Sequence, residues 1–199
     1  MKTQKINPLK SVTGITFFAL LVILASCKSK ESAAQRKDAS LANKTEVKPP
    51  QVDIHTAVVT DNLEALKQHI AAGSDINEKD PYGGSSPLIS AALFGKTEAA
   101  KILMNAGADL NVKNKDGSTA LHTSAFFCRP EIVKMLLDKG ADKTIKNNFG
   151  STPYESVAGS YTQVKSVYEM MQQMLGPMGL KLDYGYIEKT RPVIAAMLK

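Results

Sequence analysis

An all-α solenoid of repeated helix–turn–helix units, joined by hairpins, is the fold class predicted by this 199-residue sequence. Three observations carry the prediction. Gly84, Gly117 and Gly150 are spaced by 33 and 33, and Gly73, Gly107 and Gly140 by 34 and 33. Beside the first series stand Ser86-Pro87-Leu88-Ile89, Thr119-Ala120-Leu121-His122 and Thr152-Pro153-Tyr154-Glu155. The second series sits in Gly73-Ser74-Asp75-Ile76-Asn77, Gly107-Ala108-Asp109-Leu110-Asn111 and Gly140-Ala141-Asp142-Lys143-Thr144. Three in-register copies of two signatures define a supersecondary unit. One such unit cannot bury its own apolar face, whereas stacked units share a continuous core.

In chain order, the first element is an export signal. Lys2, Lys5 and Lys10 precede an uncharged stretch, Ser11 to Cys27, with an apolar heart at Ile15 to Ala25. A basic region followed by a short apolar one has the layout of a secretory signal, and it falls short of the roughly 20 apolar residues of a membrane-spanning helix. Leu24-Ala25-Ser26-Cys27 resembles the lipobox of bacterial lipoproteins. The resemblance implies cleavage after residue 26, a lipid on the Cys27 thiol and, because Lys28 rather than Asp follows, sorting to an outer membrane. An ordinary signal peptide with an incidental cysteine is the alternative. Residues 27–50 are polar and rich in Lys and Ser, with too little apolar surface to offset the entropy of ordering. They are expected to act as a tether of about 25 Å root-mean-square span.

Residues 51–175 are expected to hold about four units, the first and last degenerate. The copy from Asp53 to Asn77 lacks the turn and the Thr-Pro, as a terminal cap would. In the second copy an extra glycine enters Asp80-Pro81-Tyr82-Gly83-Gly84. The third, Asp116 to Asp142, is the most complete. Its Asp116-Gly117 suits a hairpin turn and its Thr119 a helix N-cap. Leu88, Ala91 and Ala92 match Leu121, Ser124 and Ala125 on the first helices, and Gly73, Gly107 and Gly140 fall where second helices should stop. The fourth copy keeps Thr152-Pro153, puts Glu155 where His122 stood, and predicts a lengthened second helix from about Gln163 to Leu175. In the tail, 176–199, Gly176-Pro177-Met178-Gly179 breaks the helix and Pro192 suits a first helical position. A short helix from about Arg191 is expected to cap the stack, with a partner-binding helix as the alternative.

The period and the Thr-Pro-Leu-His-like signatures are similar to those of the ankyrin repeat over roughly residues 52–160. The resemblance implies that the Thr119 hydroxyl meets His122. It also implies that the chain binds another protein through a concave surface formed by the hairpin tips and the ends of the first helices. By register the helix ends are Val59-Thr60, Leu93-Phe94 and Phe126-Phe127. The tips offer Tyr82, Lys113, Lys115, Lys146, Asn148 and Phe149. Aromatic anchors in a polar rim suit a protein interface.

The formal charge of +6 sits outside this body. Residues 51–199 carry 16 basic and 16 acidic groups, which removes the composition argument for nucleic acid. The two cysteines, Cys27 and Cys128, are too few for a disulfide scaffold. The three histidines lack zinc-ligand spacing. His55 and His122 share a repeat position, and the aspartates 75, 109 and 142 are repeat features rather than an acid–base set. No phosphate loop, nucleophile elbow or metalloprotease helix is present. The sequence therefore predicts a non-enzymatic protein with no cofactor, no metal and no small-molecule substrate. The expected role is a lipid-anchored scaffold or accessory factor in a bacterial envelope. An immunity-type inhibitor of a secreted toxin is the alternative, and an enzyme using Cys128 or His69 a remote one.

Overall fold

The computed structural model describes residues 47–199, so the expectations for the signal peptide, for Cys27 and for most of the tether lie outside the described residues. Among the described residues nine α-helices follow one another: α1 (Ile54–Val59), α2 (Leu63–Ala71), α3 (Pro87–Phe94), α4 (Thr97–Asn105), α5 (Ala120–Phe126), α6 (Pro130–Asp138), α7 (Glu155–Ala158), α8 (Tyr161–Leu175) and α9 (Tyr184–Leu198). Among the described residues there is no strand.

The helices stack in two rows. The inner row is α1, α3, α5 and α7, each packed on the next. The outer row runs α2, α4 and α6, paired with α1, α3 and α5. Leu66, Leu88, Leu103, Leu121, Ile132 and Leu136 fill the space between the rows and are essentially inaccessible. Each such side chain contributes about 1.5–3 kcal/mol through removal from water. Ala91, Ala92, Ala99, Ala100 and Ala125 let neighbouring helices approach closely.

Local chemistry sets the helix ends. Ser86 accepts the Ile89 amide at 3.4 Å, and Pro87 occupies the first turn of α3. The first unit, lacking the Thr-Pro, begins one residue late: Asp53 takes the Thr56 amide at 2.9 Å and its hydroxyl at 2.6 Å. Each of the three outer helices ends in a Schellman pair. For α2, the Gly73 amide donates to the Ile70 carbonyl at 3.1 Å and the Ser74 amide to the His69 carbonyl at 3.0 Å. Gly73 has φ +75° there, as the spacing anticipated.

Side chains then stitch one unit to the next. The Asn77 carboxamide oxygen accepts the Asp109 amide at 2.9 Å, and Asn111 accepts the Asp142 amide at 3.0 Å. At the tips, the Lys115 amide donates to the Gly83 carbonyl and the Asn148 amide to the Asp116 carbonyl, both at 2.9 Å. Asp75, Asp109 and Asp142 each accept an amide two residues ahead, which is turn chemistry.

The C-terminal part departs from expectation. A second helix does follow α7, but α8 is not its outer-row partner. Helix α9 pairs with α7 and stacks on α6, the place that α4 and α6 take in the second and third units. The fourth unit is thus α7 plus α9, and residues 159–183, with α8, are an insertion between them. The C-terminal segment, expected to follow the repeats as a cap, packs through α9 against the end of the stack itself. The expected short helix from Arg191 is corrected. It begins at Tyr184, where Asp183 accepts the Tyr186 amide at 2.9 Å, and Pro192 lies inside it. Pro192 is tolerated because it sits on the exposed side, where the carbonyl one turn earlier can meet water.

Candidate functional site

The first three inner helices, α1, α3 and α5, are each followed within two residues by a left-handed one: Asp61 at φ 59°, Gly95 at 67° and Cys128 at 52°. This reversal turns the chain into the outer helix and brings Val59, Leu93-Phe94 and Phe126-Phe127 to one edge of the inner row. Val59, Leu93, Phe94 and Phe126 are half-buried and Thr60 is exposed.

Phe127 is a correction. It is only 5% exposed and belongs to the core rather than to a binding edge. The cause is α8. Its Tyr168 is fully buried, with its ring stacked on Phe126 at 4.6 Å between centroids and edge-on to Phe127 at 6.3 Å. The Tyr168 hydroxyl donates to the Phe126 carbonyl and accepts from Arg191 Nη1 at 2.8 Å. Burial pushes its pKa up to about 12, although the Arg191 charge pulls the other way. The insertion thus covers the edge of the third unit and leaves Leu93-Phe94 of the second as the more open pair.

The tip residues separate into two groups. Tyr82 and Phe149 are 88% and 77% exposed. Lys113, Lys115 and Asn148 are engaged between tips: Lys113 Nζ donates to the Lys146 carbonyl at 3.3 Å, Lys115 Nζ to the Pro81 carbonyl at 2.9 Å, and Asn148 Nδ2 to the Lys115 carbonyl at 2.9 Å. Their polar groups already hold the hairpins together. Lys146 is exposed.

Arg129 joins this edge without having been singled out in the sequence. It is half-buried, its Nη2 reaches the Leu93 carbonyl at 3.5 Å, and a Cβ on Gly95 would stand 2.9 Å from its guanidinium carbon. Burial lowers its pKa from the ordinary arginine value.

The histidines take three different roles. His122 Nδ1 accepts from the Thr119 amide at 3.2 Å and from its hydroxyl at 3.0 Å, while Nε2 donates to the Ser151 carbonyl of the next unit at 3.0 Å. The tautomer follows from the bonds, and the implied Thr119–His122 contact is present. His55 does not copy it: because the first cap has moved to Asp53, its ring nitrogens are buried without partners. His69 is buried between Ser74 Oγ at 3.0 Å and the Val52 carbonyl at 2.7 Å. In the fourth unit Glu155 performs the capping that His122 performs in the third: it accepts the Thr152 amide at 2.7 Å and its own amide donates to Thr152 Oγ1 at 3.3 Å.

Burial, reinforced by the charge of Lys113, holds the His122 pKa below 6.5 against the pull of the Ser151 carbonyl. Above that pH the ring is neutral whether folded or unfolded. Below it, the unfolded chain takes up a proton that the folded site resists, so stability falls with acidity. Urea titrations at pH 7.5 and pH 5 are expected to show this loss, and His122→Gln, which can still cap, to make it smaller.

The Cys128 thiol is 1% exposed, covered by α9 with its sulfur 3.7 Å from the Ile187 carbonyl. Burial pushes its pKa up to about 11, which makes it a poor nucleophile at neutral pH. Among the described residues no group of three or more His, Cys, Asp or Glu comes together to hold a metal ion, and no helix is long and apolar enough to cross a membrane.

A stack of helix pairs with capped tips and a half-open inner edge is the architecture of a repeat protein. Residues 54–147 match the family model described as Ankyrin repeats (3 copies), and the fold is an ankyrin-repeat fold. Mouse protein phosphatase 1 regulatory subunit 12A is 45% identical over 67 residues, covering 34% of this chain and 6% of that protein. Human protein phosphatase 1 regulatory subunit 27 is 38% identical over 64 residues, covering 32% of this chain and 41% of that protein. The chain therefore spans less than half the length of either relative. The crystal structure of the ankyrin repeat domain of Bcl-3 superposes with a TM-score of 0.51 at 32% identity, over 52% of this chain and 45% of that one. These relatives carry names of regulatory rather than catalytic proteins.

Proposed function

We propose that this chain is a lipid-anchored ankyrin-repeat protein of a bacterial envelope that binds another protein through its concave edge, as a scaffold or accessory factor. The observation that carries the binding reading is the Leu93-Phe94 pair, apolar and half-exposed beside the Arg129 guanidinium. Aromatic side chains and arginine are enriched at protein interfaces, which makes Phe94 beside Arg129 the anchor of this surface. Tyr82 and Phe149 at the tips extend the same surface. The ankyrin repeats support a protein partner, and the names of the relatives point to regulation by binding. The anchor reading rests on Lys2 to Cys27 alone, with Lys28 favouring the outer membrane, facing the periplasm or the cell surface. Two or more acyl chains hold stably where one holds marginally.

The experiment is capture of envelope proteins on the full chain. Phe94→Ala is expected to weaken capture at least tenfold, about 1.4 kcal/mol, in a stack that still folds although it unfolds at lower urea, since the ring is partly packed on the core. Undiminished capture would remove the concave edge from the proposal. Cys27→Ser is expected to abolish lipid labelling and release the chain from the membrane fraction; retention with label intact would overturn the anchor.

A further inference from the structure

Arg191 is 3% exposed, and no carboxylate lies within ion-pair distance of it among the described residues. Two of its donors are used, on the Tyr168 hydroxyl at 2.8 Å and the Gly159 carbonyl at 3.1 Å, both neutral groups, and its Nε has no partner. A buried charge without a counter-ion is costly and calls for an anion. Arg191 lines a cleft of about 280 Å³ where α7, the start of α8 and α9 meet. The buried Tyr161 hydroxyl, from a second residue of that lining, also lacks a partner.

The start of α8 adds to this. This 15-residue helix has no acid in its first turn and no side-chain cap. Ser160 Oγ and Thr162 Oγ1 bond each other at 2.8 Å rather than a backbone amide. The first amides of a helix form a positive site that favours oxygen anions. The remaining walls are apolar, from Val157, Ala158 and Pro192, except for the exposed Glu188. A guanidinium edge matches the two oxygens of a carboxylate, and the apolar walls suit a short hydrocarbon attached to it.

We propose that the cleft between α7, α8 and α9 binds a short carboxylate, held by Arg191 and the amino end of α8. The same group reaches the cleft either as a free short-chain acid or as an acidic side chain of a bound protein. Glu188, the one acid in the lining, opposes an incoming carboxylate and sets how tightly it binds.

The test is amide NMR of the full chain titrated with propionate, against chloride at matched ionic strength. Saturable shifts are expected at Thr162 and Gln163 with propionate and not with chloride. Glu188→Gln is expected to tighten the binding three- to tenfold, and Arg191→Lys to weaken it at least tenfold. Should Arg191→Lys fail to fold, Ser160→Asp serves instead: it places a carboxylate at the helix start in cis and is expected to erase the propionate response in a folded protein. Tighter binding of the blocked glutamate N-acetyl-Glu-N-methylamide than of propionate would assign the group to a protein side chain, and the reverse to a free acid. Shifts equal to those with chloride, or propionate binding unchanged in Arg191→Lys or Ser160→Asp, would overturn the proposal. So would a fall in melting temperature on Glu188→Gln with no binding in either protein, since Glu188 would then be the counter-ion.

Discussion

Tyr168→Ala is expected to destabilise the body by about 3–5 kcal/mol, the cost of truncating a fully buried aromatic side chain. At the size of this body that corresponds to a fall of roughly 6–20 °C in melting temperature. The ring stands between Phe126 and Tyr161, stacked on both, with Phe127 at its edge. Its removal leaves a cavity and withdraws the partners of the Phe126 carbonyl and of Arg191. Tyr168→Phe isolates the polar share. It keeps the ring but strands the same carbonyl and one guanidinium donor, and is expected to cost about 1–3 kcal/mol. Tyr82→Ala, at a position 88% exposed, is the control and should stay within about 0.5 kcal/mol. Urea unfolding followed by circular dichroism reads all three, since helix is the regular structure being lost. Equal midpoints for Tyr168→Ala and Tyr82→Ala would mean that α8 is not packed on the third unit.

The first three units were legible because their information is local and repeated. A cap, an apolar stripe and a glycine stop recur every 33 or 34 residues, and each signal fixes a backbone feature within a few residues of itself. The fourth unit was not, because 25 residues separate the last residue of α7 from the first of α9. Once the period is interrupted, register no longer says which helix pairs with which. The face of α9 was nonetheless written in the chain: Ile187, Thr190, Arg191, Ile194 and Leu198 fall on one side of a helix and are all buried. Pro192 carries the local signal of a helix start, and the longer apolar pattern overrides it in the fold.

The site divides in the same way. Leu93-Phe94 and Phe126-Phe127 are equivalent by register, and nothing near them distinguishes the two pairs. The difference is made by Tyr168, some 40 residues on, which closes one pair and not the other. Arg129 and Arg191 did leave a trace. The chain uses 22 lysines and three arginines, and both arginines of the body are at least half-buried. Arginine in a lysine-rich chain marks places where several donors must be met at once by carbonyls, rings or anions, which a solvated ammonium does poorly.

Ile194→Ala tests the assignment of α9 to the outer row. Ile194 is inaccessible and lies on the face of α9 that closes the stack, along with Ile187 and Leu198. Truncation to alanine is expected to cost about 2–5 kcal/mol, comparable with an interior leucine of the central units. Val193 is its neighbour in sequence but points outward, at 54% exposed, and Val193→Ala should shift stability by no more than about 0.5 kcal/mol. A helix held in reserve for a partner predicts the opposite: both substitutions would leave isolated stability unchanged and alter only capture. The contrast between adjacent residues matters because it removes helix propensity as an explanation, both changes being β-branched residue to alanine in the same helix. A large loss at 194 with none at 193 makes α9 an integral part of the stack. Its outer face, with Val193 and the 45% exposed Tyr186, is then the part of the helix left for anything that binds there.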